Sequence, residues 1–152
     1  MSEGLIQDSS DTSLVRDMVT GTAVAVEGRA LLIQGPSGSG KSALALEMLC
    51  RGASLVGDDK LWADREGERL ILSAPDATKN VIEARGLGLL SCPCVKAAML
   101  VAVVDLCQPE TQRLPEFREI NLFELKFPLL HKVESGHFPA ALIQYLKGGR
   151  LA

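Results

Sequence analysis

The feature that most constrains the fold of this chain is a glycine-rich octapeptide at residues 35–42. It reads GPSGSGKS and fits the pattern G-x-x-x-x-G-K-[ST]. An apolar, β-compatible run at residues 30–33 precedes it. A stretch with helical periodicity follows at residues 43–51, and Gly52 comes directly after that stretch. The order of strand, glycine loop and helix predicts an α/β fold, with the loop at the N-terminus of the helix.

The chemistry of such a loop is phosphate binding. Its glycines let backbone N–H groups surround phosphate oxygens, Lys41 is placed to contact the β and γ phosphates, and the Ser42 hydroxyl is placed to bind Mg²⁺. ATP and Mg²⁺ are therefore the expected cofactors, and an accidental glycine-rich turn is the alternative. The candidate nucleotide-binding residues are Gly35, Pro36, Ser37, Gly38, Ser39, Gly40, Lys41 and Ser42.

Two adjacent acidic residues, Asp58 and Asp59, follow a short apolar strand predicted at residues 54–56. If the strand continues through them, its two-residue period points the two side chains in opposite directions, so that only one faces a bound phosphate. One acid would then be the general base, and the other would support it. A solvated turn is the alternative interpretation of this pair.

Two further acidic positions compete for a role beside the loop. Asp105 ends an apolar run at residues 100–104, the position of the metal-binding aspartate in many ATPases, and equally that of an ordinary strand end. Glu83 and Arg85 lie in the segment IEARGLG, where two glycines beside an acid and a base suggest a close backbone approach at a site. An exposed ion pair in a turn is the alternative for this second position.

Charge and composition exclude several classes of protein. The net charge is −3, from 16 basic and 19 acidic residues without a dense basic cluster, so nucleic acid is not an expected partner. The longest apolar run, residues 97–104, is too short to span a membrane, and the N-terminus lacks the pattern of a secretory signal, which predicts a cytoplasmic protein. The four cysteines show no paired metal-site spacing and are expected to be small buried thiols.

A length of 152 residues predicts one domain. Residues 1–15 are interpreted as a flexible tail, and residues 16–152 as a P-loop kinase domain with a mixed β-sheet flanked by helices. The expected elements are a hairpin of residues 22–26 and 30–33, a second hairpin of residues 61–63 and 69–72, a central strand at 97–106, a surface connection at 107–119 and a helix at 139–147.

Together, these motifs resemble the catalytic domain of HPr kinase/phosphorylase, a fold type shared with PEP carboxykinase. The resemblance is strong over residues 19–90. It rests on the glycine loop and on three later segments: RG at 51–52, LVGDD at 55–59 and EARGLG at 83–88. No counterpart of the N-terminal domain of longer members is recognised, so the resemblance is to a short form with the catalytic domain only.

The resemblance implies an ATP- and Mg²⁺-dependent kinase that phosphorylates a serine of an HPr-like phosphocarrier, with phosphorolysis as a possible reverse reaction. It implies that Lys41 holds phosphate, that Ser42 and Glu83 hold Mg²⁺, and that Asp59 accepts the serine proton with Asp58 beside it. Arg85 joins the candidate catalytic residues, and Asp105 becomes structural. A homo-oligomer, a hexamer by resemblance, is also implied.

The sequence departs from the family pattern at several positions. Thr20 stands where a histidine usually precedes the loop, Gly57 replaces a usual alanine, and a later Pro-Gly-Arg-Asn segment is missing. His131 and His137 are interpreted as non-catalytic. Thr20 keeps a nucleotide-binding regulator without turnover open as a second function. A small-molecule kinase of the nucleotide kinase type also stays open, because GPSGSGKS resembles the loop of guanylate kinases as well.

Overall fold

The computed structural model of the protein describes residues 14–152. This part of the chain forms eleven β-strands and two α-helices. Of the expected tail, residues 1–13 lie outside the described residues, and residues 14 and 15 begin the first strand. The elements are β1 (Leu14–Thr20), β2 (Thr22–Val26), β3 (Arg29–Gln34), α1 (Lys41–Leu49), β4 (Ser54–Gly57), β5 (Lys60–Glu66), β6 (Arg69–Ser73), β7 (Val81–Ala84), β8 (Gly88–Ser91), β9 (Ala98–Pro109), β10 (Glu119–Leu122), β11 (Leu125–Lys132) and α2 (Phe138–Gly148).

Nine of these strands form one mixed sheet, whose main order is β1-β5-β6-β9-β3-β2-β4, as the expected fold class requires. β9 lies at its centre. β3 runs parallel to β9 on one side, while β6 and β11 share the other side. Because β3, β9 and β11 are parallel, their carboxyl ends meet at one edge of the sheet. The glycine loop leaves β3 at this edge, where open α/β sheets bind their ligands.

Both predicted hairpins are confirmed. In the first, Val26 pairs with Arg29, which leaves Glu27 and Gly28 as a two-residue turn. These two residues have φ values of 54° and 78°, and two positive φ angles are what a type I′ turn between twisted strands requires. In the second hairpin, β5 and β6 are antiparallel.

The sheet is covered on both faces, which explains why β2 and β3 read as continuous apolar runs. On one face, Val24, Leu31 and Val104 belong to a core that includes both helices. On the other face, Leu32 and Val103 pack with side chains of β5, β6 and β11. The strand that carries the glycine loop is therefore fixed from both sides.

Five strands, namely β1, β7, β8, β10 and β11, were not predicted. β7 and β8 have four residues each, too few to show a clear two-residue period. β11 contains Pro128, a residue that argues against a strand assignment. The surface connection is shorter than the predicted range of residues 107–119, because β9 continues to Pro109 and β10 starts at Glu119.

Both predicted helices are confirmed, and Gly52 follows α1 with a φ of 101°. Within residues 14–152, neither helix combines the length and hydropathy needed to cross a bilayer.

The four cysteines are unpaired. The expectation that all of them are buried is wrong, because Cys50 and Cys107 are exposed and Cys92 and Cys94 are half-buried. Burial raises the pKa of the Cys92 thiol, and the nearby Cys94 raises it further.

Candidate functional site

The glycine loop connects β3 to α1 through a tight backbone path. Gly35 has a φ of 155°, and a Cβ placed on it would lie 2.5 Å from Ser39 Oγ, so the loop has no room for a side chain there. Ser39 donates its backbone N–H to Pro36 O at 3.0 Å, and Gly40 begins α1 from a left-handed conformation. The loop therefore presents backbone and small side chains to its concave side.

Two polar side chains of the loop are notable for their surroundings. Lys41 Nζ donates to Gly35 O at 2.8 Å and to Pro36 O at 3.2 Å, so the lysine folds back across the start of the loop. The Ser39 hydroxyl oxygen is buried and has no hydrogen-bond partner among the described residues. A buried hydroxyl without a partner is costly, which marks the loop as a place where another polar group would be accommodated favourably.

Asp58 lies directly behind the loop and connects three elements. Its Oδ1 accepts hydrogen bonds from Thr22 Oγ1 at 2.7 Å and from Ser42 Oγ at 2.9 Å. Its Oδ2 accepts the backbone N–H of Glu83 at 2.9 Å. This half-buried carboxylate therefore links β2, the first turn of α1 and β7.

Asp59 differs from its neighbour in exposure and in backbone conformation. β4 ends at Gly57, so the two acids lie beyond the strand, and strand alternation does not set their directions. Asp59 has a φ of 80° and an exposed side chain, and its carbonyl accepts the Gly21 N–H at 2.9 Å. Among the described residues, its carboxylate makes no hydrogen bond or ion pair, which leaves it free to meet a ligand.

Glu83 and Arg85 lie on the hairpin that β7 forms with β8. The backbone of Glu83 is held against Asp58, while both the Glu83 and Arg85 side chains are exposed. Gly86, in the connecting turn, and Gly88, the first residue of β8, have φ values of 91° and 126°. The hairpin thus brings the predicted acid to the edge of the Asp58 cluster through its main chain.

Two further residues that the sequence singled out, Asp105 and Thr20, have hydrogen-bond partners outside the Asp58 cluster. Asp105 lies within β9 in register with Gln34, and its Oδ1 accepts the N–H of Cys107 in the same strand at 2.9 Å. Thr20 ends β1, and its carbonyl accepts a hydrogen bond from Gln34 Nε2 at 3.1 Å. Neither side chain has a hydrogen bond to the Asp58 cluster.

Thr22 was not predicted as a residue of the site. Its side chain is fully buried, and its hydroxyl donates to Asp58 across 36 positions of sequence. The sequence feature that could have indicated it is a polar residue at the start of an otherwise apolar strand.

Within residues 14–152, no group of three or more His, Cys, Asp or Glu side chains forms a candidate metal site.

Comparison with known proteins identifies the family. A family model described as HPr Serine kinase C-terminal domain matches residues 13–101. The HPr kinase/phosphorylase of Geobacillus thermodenitrificans is 37% identical over 125 residues, which cover 74% of this chain and 40% of that protein. That of Mycoplasmopsis pulmonis is 47% identical over 72 residues, which cover 47% of this chain and 23% of that protein. The alignments thus span less than half the length of these curated relatives.

The fold matches a solved structure as well. The Hpr(Ser) kinase/phosphatase from Coxiella burnetii superposes with a TM-score of 0.74, covering 86% of this chain and 94% of that chain at 22% sequence identity. At this identity the likeness concerns the fold, a mixed sheet with helices against it. The family match covers more than half of the sequence and includes the glycine loop, both aspartates and Glu83. This chain therefore belongs to the HPr serine kinase C-terminal domain family.

Proposed function

We propose that this chain is a serine kinase domain that transfers the γ-phosphoryl group of ATP, with Mg²⁺, to an HPr-like phosphocarrier protein. The observation that carries the proposal is the 2.9 Å hydrogen bond between Ser42 and Asp58. It joins a hydroxyl at the start of α1 to a carboxylate behind a glycine loop, which is the pairing that a magnesium–nucleotide site needs. The acceptor is inferred from the relatives named HPr kinase/phosphorylase.

The loop residues fit a polyphosphate. Backbone N–H groups at the N-terminus of α1 have no partner within the helix, and they favour a bound anion. The unpartnered, buried Ser39 hydroxyl supplies a further donor. Lys41 already lies across the loop, so it needs only to exchange its two carbonyl partners for phosphate oxygens. Residues 35–42 are thus the proposed nucleotide-binding segment.

Ser42 and Glu83 are the proposed magnesium ligands, and Asp58 lies between them. Mg²⁺ bound with a nucleotide takes one or two protein ligands, and phosphate oxygens and waters supply the others. The ion would neutralise negative charge on the phosphates during transfer. Asp58 orients the Ser42 hydroxyl and fixes the Glu83 backbone, and we therefore assign it as a positioning residue.

Asp59 is the proposed proton acceptor. The Asp58 carboxylate already accepts hydrogen bonds from three donors, whereas the Asp59 carboxylate is exposed and free to meet an incoming protein. The serine oxygen would bond to the γ-phosphorus as its proton passes to Asp59, while the bond from that phosphorus to the β–γ bridging oxygen breaks and ADP leaves. Arg85, exposed on the same hairpin as Glu83, is proposed to contact the transferred group.

In the reverse reaction, the protonated Asp59 would return its proton to the serine oxygen while inorganic phosphate attacks the phosphoserine phosphorus. A cytoplasmic location and a hexameric assembly are part of the same proposal, by resemblance to the family.

One observation favours a second candidate function, a nucleotide-binding regulator without turnover. Thr20 stands where the family usually has a histidine, and its side chain cannot carry a positive charge.

Incubating the chain with ATP, Mg²⁺ and HPr, followed by intact-protein mass spectrometry of HPr, tests the proposal. We expect one phosphoserine on HPr. Asp59→Asn should slow transfer by about 10²- to 10⁴-fold, the usual contribution of a general base, and leave nucleotide binding intact. Asp105→Asn is the matched control, because Asp105 bonds only to its own strand, and it should transfer at the parent rate. Unmodified HPr together with tight nucleotide binding would support the regulator instead.

A further inference from the structure

A second concave site lies on the outer surface of β5 and β6. It is a cavity of about 460 Å³, bounded by these strands, by Arg16 of β1 and by the loops that lead from β6 to β7 and from β8 to β9. Its lining includes no residue of the glycine loop, of the aspartate pair or of β7, so it is separate from the candidate kinase site. Its volume lies within the range of about 300–1,000 Å³ that is typical of small-molecule sites.

The lining of this cavity is basic, although the chain as a whole carries a charge of −3. It contains Arg16, Lys79 and Lys96 and a single acid, Asp76. Lys79 lies 3.4 Å from Asp76, but the Asp76 side chain is 97% exposed, so this ion pair is weak. Lys96 has no ion pair among the described residues. Two ammonium groups are therefore available for an anion.

The cavity also has a fixed apolar wall. Arg16 donates to both carboxylate oxygens of Asp64, at 2.7 and 2.8 Å, and its guanidinium group lies 4.8 Å from the centre of the Trp62 ring. These contacts hold the indole in place. Because Arg16 is already paired with Asp64, it acts as a support for Trp62 and contributes little free positive charge. Val95 adds a further apolar side chain to the lining.

Asn80 supplies an oriented donor. Its Oδ1 accepts the Cys94 N–H at 2.8 Å, and its own backbone N–H donates to Cys94 Sγ at 3.0 Å. Since the amide oxygen is occupied in this way, the amide NH₂ group is left to serve as a donor in the cavity lining.

We propose that this cavity binds a small organic anion, a carboxylate or a phosphate ester. The apolar part of the ligand packs against Trp62 and Val95, Lys79 and Lys96 hold the negative group, and Asn80 donates a hydrogen bond to it. The combination of free ammonium groups, an oriented amide and an aromatic wall is the pattern of a site that selects charge and ring together.

Trp62 is the only tryptophan of the chain, so its fluorescence reports on this cavity alone. We would titrate the full chain with benzoate, with phenyl phosphate and with the uncharged benzyl alcohol at constant ionic strength. At least one of the two anions should change the fluorescence saturably, and benzyl alcohol should not. The tighter of the two anions then shows whether the natural ligand is a carboxylate or a phosphate.

The variant Lys79→Gln/Lys96→Gln should weaken the binding of the preferred anion by about tenfold or more, because charge-assisted hydrogen bonds are lost. Lys126→Gln/Lys147→Gln is the matched control. It removes the same charge from β11 and α2, away from the cavity, and should bind like the parent. The proposal is overturned by an equal response to benzyl alcohol, by unchanged affinity in the first variant, or by the lack of any saturable response.

Discussion

Replacing Asp58 by asparagine removes a charge at the junction of β2, α1 and β7 and keeps the shape of the side chain. In the protein, the carboxylate accepts hydrogen bonds from Thr22 Oγ1, Ser42 Oγ and the Glu83 N–H at 2.7, 2.9 and 2.9 Å. An asparagine has one accepting oxygen and one donating NH₂ group. If the oxygen faces Thr22 and Ser42, the NH₂ group faces the Glu83 N–H, and that donor loses its partner.

The size of the expected loss in the free energy of unfolding follows from the hydrogen bonds of these three donors. Hydrogen bonds to charged groups contribute about 1.5–3 kcal/mol each, and neutral ones contribute about 1 kcal/mol. Asp58→Asn loses at least one bond outright and weakens the others. We therefore expect the free energy of unfolding to fall by about 2–3 kcal/mol.

Urea unfolding followed by tryptophan fluorescence measures this loss. Asp59→Asn is the matched control, because it makes the same chemical change one position later, where the side chain is exposed and φ is 80°. Asparagine tolerates this backbone conformation, so the control should stay within about 0.5 kcal/mol of the parent protein. Equal free energies of unfolding for the two variants would refute the role of Asp58 as a link between the three elements.

Two further predictions concern the glycine loop and the cavity wall. Ser39→Ala removes a buried hydroxyl without a partner, so it should raise the free energy of unfolding by about 1 kcal/mol in urea and weaken ATP binding in a titration. The hydrogen bond from Arg16 lowers the pKa of Asp64, so Asp64 adds stability above its unfolded pKa of about 4, and this stability is lost as the pH falls through the lower folded pKa. Asp64→Asn should therefore lower the melting temperature at about pH 7, and the difference should shrink as the pH falls below about 4; a difference that does not change with pH would contradict the assignment.

The part of the fold that local sequence determines was predictable. The glycine loop between strand and helix and the turn at Glu27 and Gly28 each depend on residues close together in the chain, and both lie where the sequence placed them. The same holds for the central strand β9, whose apolar run is long enough to be recognised without a partner.

Contacts between distant segments were not predictable in the same way. Strand alternation does not separate Asp58 from Asp59, because β4 stops at Gly57 and the positive φ of Asp59 redirects the chain. Thr22 gains its role only from a partner 36 positions away. The space around Gly57 also depends on other segments, since a Cβ there would lie 2.7 Å from Leu61 Cδ2, the end of a flexible side chain, and 3.1 Å from Ala74 Cβ.

We propose that residues 35–42 and Asp58 form a magnesium-dependent nucleotide site. Calorimetric titration of the chain with ATP, once with Mg²⁺ and once with a chelator, tests it directly, with Ser42→Ala as the variant. We predict that Mg²⁺ strengthens ATP binding and that Ser42→Ala loses most of this gain, about tenfold in affinity for one charge-assisted contact. ATP binding of equal strength in Mg²⁺ and chelator, or an unchanged magnesium effect in Ser42→Ala, would contradict the claim.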